Sequence, residues 1–281
     1  MPLKLDAHQH FWTFEQSEYK WIEEWMDPLR RDITPADLDP ELAEAKIDGT
    51  IAVEARGSLA ETENLLRIAA ETDFVRGVVG WLPLTDPKLE ALLERYTNNP
   101  KLIGLRHAIS AEPDSGYMFR KDVNQGISLL KKFDLTFDLS FTPHQLPICL
   151  DFVDQHPEQT FVLDHLAKPY IRDQKIEPWK GQIRELAKRP NVFCKLSGLA
   201  TEADIENWIP KDLDPYLDTV LEAFTPNRLM FGSDWPVCLL ATDYQRWVRT
   251  IEHWTSKLTA TEQESIWSTT ARRAYRITEI L

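Results

Sequence analysis

Eight short apolar segments recur along the chain, with helix-like periodicity in the stretches that separate them, and this alternation restricts the fold more than any other feature. The first is an extended segment that ends in Asp6-Ala7-His8-Gln9-His10. The others span 50–54, 77–82, 102–107, 135–140, 160–165, 191–197 and 228–234. Helix signals fall between them. Thr34-Pro35 supplies a cap and a first-turn proline, Ser58 and Glu61 have capping-box spacing for a helix to about residue 72, and Asp86-Pro87 opens another. Further helices are expected near 122–133, 144–156, 178–188 and 213–224. Two more, 243–256 and 260–276, finish the chain, the second opened by Thr259 and Glu262. Eight strand–helix pairs predict an α/β fold, a (β/α)8 TIM-like barrel of parallel strands with right-handed crossovers. A doubly wound open sheet is the competing count, but no glycine-rich fingerprint follows the first strand. With no composition break or linker, residues 1–281 read as a single barrel domain.

Composition narrows the partners. The chain has 43% apolar residues and ten tryptophans, enough for a substantial core. Its 45 acids against 32 bases give a net charge of −13, which opposes nucleic acid and anionic membranes but leaves small neutral substrates unhindered. Cys149, Cys194 and Cys238 form no C-x-x-C pair, as expected for buried thiols in a reducing compartment. No long apolar leader precedes the first strand, and no run approaches the ~18–20 apolar residues of a membrane span. A soluble, cytoplasmic protein is the expectation; its oligomeric state is not legible.

In a barrel of this kind function collects at the C-terminal ends of the strands. His8 and His10 end the first strand, Arg106 and His107 the fourth, His165 the sixth, Lys195 the seventh and Asp234 the eighth. Residues two apart on a strand share a face, so His8 and His10 aim two imidazoles into one space, which suits zinc or a polar substrate. Asp234 is the candidate general base, or else a cap for the Trp235-Pro236 turn. His165 would bind a metal or polarise a carbonyl, or serve as a hydrogen-bonded core histidine. Lys195 is costly to bury alone, so it pairs an acid or orients substrate. Arg106 and His107 are adjacent, and on a regular strand only one faces inward. Asp6 is placed to hold a histidine ring from behind; Glu54 and Asp138 are candidate partners of buried bases. His144, His156 and His253 lie on helical stretches and read as surface residues. The aromatic loop 11–33, with Trp12 and Trp21, is either a wall over the histidines or a loop pinned by its own rings.

Five segments carry a resemblance: Asp6-Ala7-His8-Gln9-His10-Phe11-Trp12, Gly104-Leu105-Arg106-His107, Phe161-Val162-Leu163-Asp164-His165-Leu166-Ala167-Lys168-Pro169, Cys194-Lys195-Leu196-Ser197-Gly198 and Phe231-Gly232-Ser233-Asp234-Trp235-Pro236. With these the chain resembles the amidohydrolase superfamily, in the lactonase-like amidohydrolase 2 branch that includes sugar-lactone hydrolases of the L-fuconolactone type. The resemblance implies an amidohydrolase-type barrel and a hydrolase that opens a sugar-derived lactone. His8, His10, His165 and Asp234 would surround a metal or the substrate carbonyl, with Asp234 activating water. Arg106, His107, Lys195, Trp12 and Trp235 would bind the small-molecule substrate. Dinuclear members carry a lysine on strand four and a histidine on strand five; here those strands offer Arg106-His107 and Phe137-Asp138-Leu139, so no two-metal centre is expected. One divalent ion, zinc, is compatible, and so is metal-free activity, because a lactone is an activated ester. Lactone isomerisation or metal-dependent decarboxylation at the same rim is the alternative reading.

Overall fold

All eight apolar segments form parallel strands in a computed structural model that describes residues 3–114 and 116–278. The strands are β1 Leu5–Gln9, β2 Gly49–Val53, β3 Val75–Gly80, β4 Leu102–His107, β5 Thr136–Leu139, β6 Phe161–Leu163, β7 Val192–Leu196 and β8 Leu229–Phe231. They run side by side in sequence order, β1 through β8, with helices in the connections between them. Every residue of β1, β2, β5 and β7 is buried, as expected for parallel strands covered on both faces. The sheet is nearly closed. Between its two ends Gln9 bridges Trp235, the His10 amide donates to the Trp235 carbonyl at 2.8 Å, and the Asp234 amide donates to the His8 carbonyl at 2.8 Å.

Two apolar layers hold this arrangement. The larger packs the helices on the outside of the strands. The smaller fills the barrel interior with Leu5, Ile51, Val79, Val162 and Met230, and Tyr275 and Ile277 from the chain's end pack against it. That packing leaves the opposite rim, at the strand C-termini, for polar groups.

Several elements depart from the sequence expectation. The helix expected from 213 starts at Pro210, where the proline occupies the first turn and the Asp212 carboxylate accepts from the Ile209 amide at 2.9 Å. The helix expected over 260–276 is broken by a π-helical stretch, Ser265–Thr269, in which Trp267 is buried and stacks on Phe231 at 4.4 Å. His156 is not a surface residue. The preceding helix, Leu146–Gln155, ends just before it, and its ring packs on Phe152 with Nε2 2.7 Å from the Asn124 side-chain oxygen. His144 and His253 are exposed as expected. Cys149, Cys194 and Cys238 are free and buried. Among the described residues no helix is long and apolar enough to cross a membrane.

Candidate active site

Asp234, His8, His10 and His165 meet at the C-terminal rim. The Asp234 Oδ1 lies 3.4 Å from His10 Nε2, 3.7 Å from His8 Nε2 and 3.9 Å from His165 Nε2. All four residues are buried, and His10, His165 and Asp234 line a cavity of about 260 Å³ with Trp21, Ala55, Arg106, Ala108, Ala111, Ser140, Lys168 and Val237. That size suits one small ring. A larger cleft of about 540 Å³, lined by Arg172, Asp204, Lys211 and Tyr216, contains no histidine.

Local backbone places each group. β8 ends at Phe231, two residues before Ser233, and Asp234 takes a positive φ of 59°, which turns its carboxylate toward β1. Asp6 secures this junction, because its Oδ1 accepts from the amides of His8 at 3.1 Å and Ser233 at 2.8 Å, and its Oδ2 accepts from the Tyr244 hydroxyl at 3.1 Å. Asp6 therefore holds backbone, not a histidine ring. Burial pushes its carboxyl up to about 6.

β6 ends at Leu163, and His165, Leu166, Ala167 and Lys168 all take left-handed φ values of 51–58°. Four such residues without glycine form a strained turn. It swings both His165 and Lys168 into the cavity, and the Trp179 indole N–H secures it by donating to the Leu166 carbonyl at 2.7 Å. His165 Nδ1 contacts the Ser197 hydroxyl at 2.8 Å, leaving Nε2 toward Asp234. Gly198, with a φ of 67°, lies so close beneath that ring that a Cβ would stand 2.6 Å from Nδ1.

A buried charge network supports the imidazoles. Lys195, fully buried, pairs with Asp138 at 2.5 Å and Asp164 at 2.9 Å and reaches His8 Nδ1 at 3.1 Å. Arg106 pairs with Glu54 at 2.8 Å and Asp164 at 3.0 Å, donates to the Glu54 carbonyl, and lies 3.3 Å from His8 Nε2. The Tyr275 hydroxyl donates to Asp138 at 2.8 Å. Burial holds His8 well below the ordinary histidine range, with the Lys195 charge adding to it. Burial likewise lowers His165 to about 4. For Asp234 burial works the other way, but His165, His10 and His8 outweigh it and hold the carboxyl well below the usual range. The site at neutral pH thus presents neutral His8 and His165 around an ionised carboxylate.

The donor set fits a single divalent ion. His8, His10 and Asp234 offer ligand atoms within 4.8 Å of one another, as do His8, Asp164 and His165. His8 and His10 Nε2 are 3.2 Å apart, close to the roughly 3.3 Å edge of a tetrahedron with zinc–nitrogen bonds of 2.0–2.1 Å. His10 Nδ1 donates to the Val53 carbonyl at 2.8 Å, and Asp164 lies 3.3 Å from His8 Nδ1. On His10 this acceptor at the far nitrogen is the arrangement that frees Nε2 for a metal, whereas His8 Nδ1 also faces the Lys195 ammonium at 3.1 Å.

Not every expected residue reaches the cavity. On β4 it is Arg106 that faces inward. His107 points to the other side, where the Trp81 indole N–H donates to its Nδ1 at 3.2 Å and Tyr117 stacks on it at 4.6 Å. Lys195 lies beneath the histidines and pairs acids instead of touching the cavity. Trp12 is buried behind His10 and donates to the Arg31 carbonyl at 2.9 Å; Trp235 is buried against Phe11. From the aromatic loop it is Trp21 that borders the cavity, while Tyr19 is buried and Trp25 exposed, so the loop is both wall and self-pinned. Sequence reasoning missed Asp164, Ser140, Ser197 and Lys168. Asp164 and Lys168 lie in the segment 161–169 already singled out, where an acid and a base flank His165.

The amidohydrolase family profile matches residues 5–277. The chain belongs to the amidohydrolase family. Among amidohydrolase relatives, an L-fucono-1,5-lactonase of Burkholderia multivorans is 38% identical over 99% of this chain and 97% of that protein. An L-fucono-1,5-lactonase of Burkholderia ambifaria is 36% identical over 88% of this chain and 86% of that one. A crystal structure of a Burkholderia multivorans amidohydrolase, described as having bound zinc, superposes with a TM-score of 0.94 at 38% identity, covering 98% of this chain and 99% of that one.

Proposed function

We propose that this amidohydrolase, as a single barrel domain, hydrolyses a neutral sugar-derived lactone of the L-fucono-1,5-lactone type. The observation that carries this reading is the convergence of one ionised carboxylate and three imidazoles on a cavity of single-ring size. Two curated relatives at 36–38% identity bear the name of that activity. The charge pattern agrees with it. Arg106 and Lys195, the deep cations, are already engaged by Glu54, Asp138 and Asp164, so at the depth of the histidines the site is arranged for a neutral carbonyl.

In this mechanism Asp234 takes a proton from water as the oxygen attacks the lactone carbonyl, producing a tetrahedral oxyanion. His10, His165 and the Arg106 guanidinium border the space where that charge develops. Collapse breaks the acyl–oxygen bond, and the proton on Asp234 passes to the released ring oxygen. A carboxylate with a depressed pKa is ready at neutral pH but weakly basic, which suffices for an activated ester. His8, His10, His165 and Asp234 would hold a divalent ion, which when bound supplies Lewis acidity toward the carbonyl.

The test is a panel of five- and six-membered aldonolactones followed by pH indicator, with chelator and with added zinc. Turnover is expected, and Asp234→Asn should lose roughly 10²–10⁴-fold in kcat while its circular dichroism remains that of the folded wild type. A panel in which no lactone opens faster than the buffer blank refutes the reading.

A further inference from the structure

Lactone opening poses an electrostatic problem that this pocket must solve. Water adds across the acyl–oxygen bond; one of its hydrogens ends on the released hydroxyl and the other leaves as a proton, so a neutral substrate becomes an anion in place. Among the described residues, the carboxylates Glu54, Asp138, Asp164, Glu202 and Asp234 stand in and beneath the cavity, against the cations Arg106, Lys168 and Lys195. Such a balance repels a new carboxylate.

Lys168 differs from the other two cations. Arg106 and Lys195 are buried and hold their acids at 2.5–3.0 Å. The Lys168 side chain is 39% exposed, and among the described residues its ammonium has one partner, Glu202, at 3.6 Å, beyond hydrogen-bonding distance. It lines the cavity beside His165, carried there by the last residue of the left-handed turn, whose amide donates to the His165 carbonyl at 2.7 Å. Backbone strain at that position is the kind that persists where function requires it. Glu202, its partner, stands on the neighbouring short helix Leu199–Glu202, and burial raises its carboxyl above the ordinary value.

We propose that Lys168 receives the product carboxylate: as the ring opens, its ammonium exchanges Glu202 for the new anion. The assignment rests on the lactonase reading above and extends it to a residue outside the histidine–aspartate cluster. Glu202 acts as the competitor that returns the ammonium and expels the product.

The experiment compares Lys168→Met, Lys168→Arg and Glu202→Gln on a lactone that the wild type opens, measuring kcat, KM and inhibition by the corresponding aldonate. Lys168→Met should raise the aldonate inhibition constant about ten- to hundredfold, the worth of a hydrogen bond to a charged group, with a smaller change in KM for the neutral lactone. Lys168→Arg should keep most of the product affinity. Glu202→Gln should move it the other way, tightening aldonate binding, which a merely structural pair would not do. The proposal is overturned if Lys168→Met leaves the inhibition constant at the wild-type value, or if Glu202→Gln weakens product binding. Should Lys168→Met not fold, Glu202→Gln still decides it, tighter aldonate binding supporting the assignment and unchanged or weaker binding overturning it. A wild type that opens no lactone overturns the lactonase reading and this assignment together, whereas an active wild type with an indifferent Lys168 overturns the assignment alone.

Discussion

Replacing Lys195 by methionine removes one cation from between two buried acids. Lys195 holds Asp138 at 2.5 Å and Asp164 at 2.9 Å, and none of the three is exposed beyond 1%. Taking one partner from a buried ion pair costs about 3–5 kcal/mol, which for a chain of this size lowers the melting temperature by roughly 6–10 °C. The loss is limited by protonation. Burial already raises Asp138 to about 6 against the Lys195 attraction, and without Lys195 that carboxyl rises further and stays neutral. Its folded pKa then lies above its unfolded value, so the folded state holds an extra proton and loses stability as pH rises. The wild type suffers this only up to about pH 6, the variant beyond it. Between pH 6 and 8 the deficit should therefore grow by up to about 1.4 kcal/mol per pH unit, and between about pH 4 and 6, where both folded forms carry the proton on Asp138, it should stay level. Denaturant unfolding at pH 5, 6, 7 and 8 measures it, and Asp138→Asn in the same background should recover most of the loss at pH 7. A deficit that does not vary with pH, or a double variant no more stable than Lys195→Met, would refute the reasoning.

Two further substitutions test the geometry around the cavity. Gly198→Ala places a methyl 2.6 Å from His165 Nδ1 on a backbone of positive φ, and should cost about 1–3 kcal/mol by denaturant unfolding and lower kcat by displacing that ring. Trp21→Ala opens one wall of the cavity and should raise KM severalfold at nearly constant kcat, the mark of a contact made equally in ground and transition states.

The barrel was legible because strand and helix periodicities alternate throughout, and strand ends are where such folds expose polar groups. That rule drew attention to His8, His10, His165 and Asp234 before any coordinates. It failed where the backbone leaves the regular strand. Alternation along β6 would send Asp164 and His165 to opposite sides, yet β6 stops at Leu163 and a left-handed turn follows. No glycine or asparagine marks that turn, so the residue types that usually announce positive φ were absent. The resemblance implied substrate binding by Trp12 and Trp235, but a large ring next to a strand end serves equally to fill the space between strand and helix. Lys195 was recognised as expensive to bury and Asp138, on β5, as a candidate partner of a buried base, but its second acid, Asp164, lies just past the end of β6, where strand alternation no longer applies.

The place where the sheet's first and last strands meet has its own consequence. β1 and β8 share no ladder of the kind that joins the other neighbours; they are fastened by the 9–235 bridge, a few amide contacts and the Asp6 carboxylate. Two of the histidines stand on one side of this seam and Asp234 on the other. Breathing at the weakest fastening of the cylinder would pull the reacting groups apart while the remaining strands stay zipped, so mild denaturant should silence the protein well before it melts.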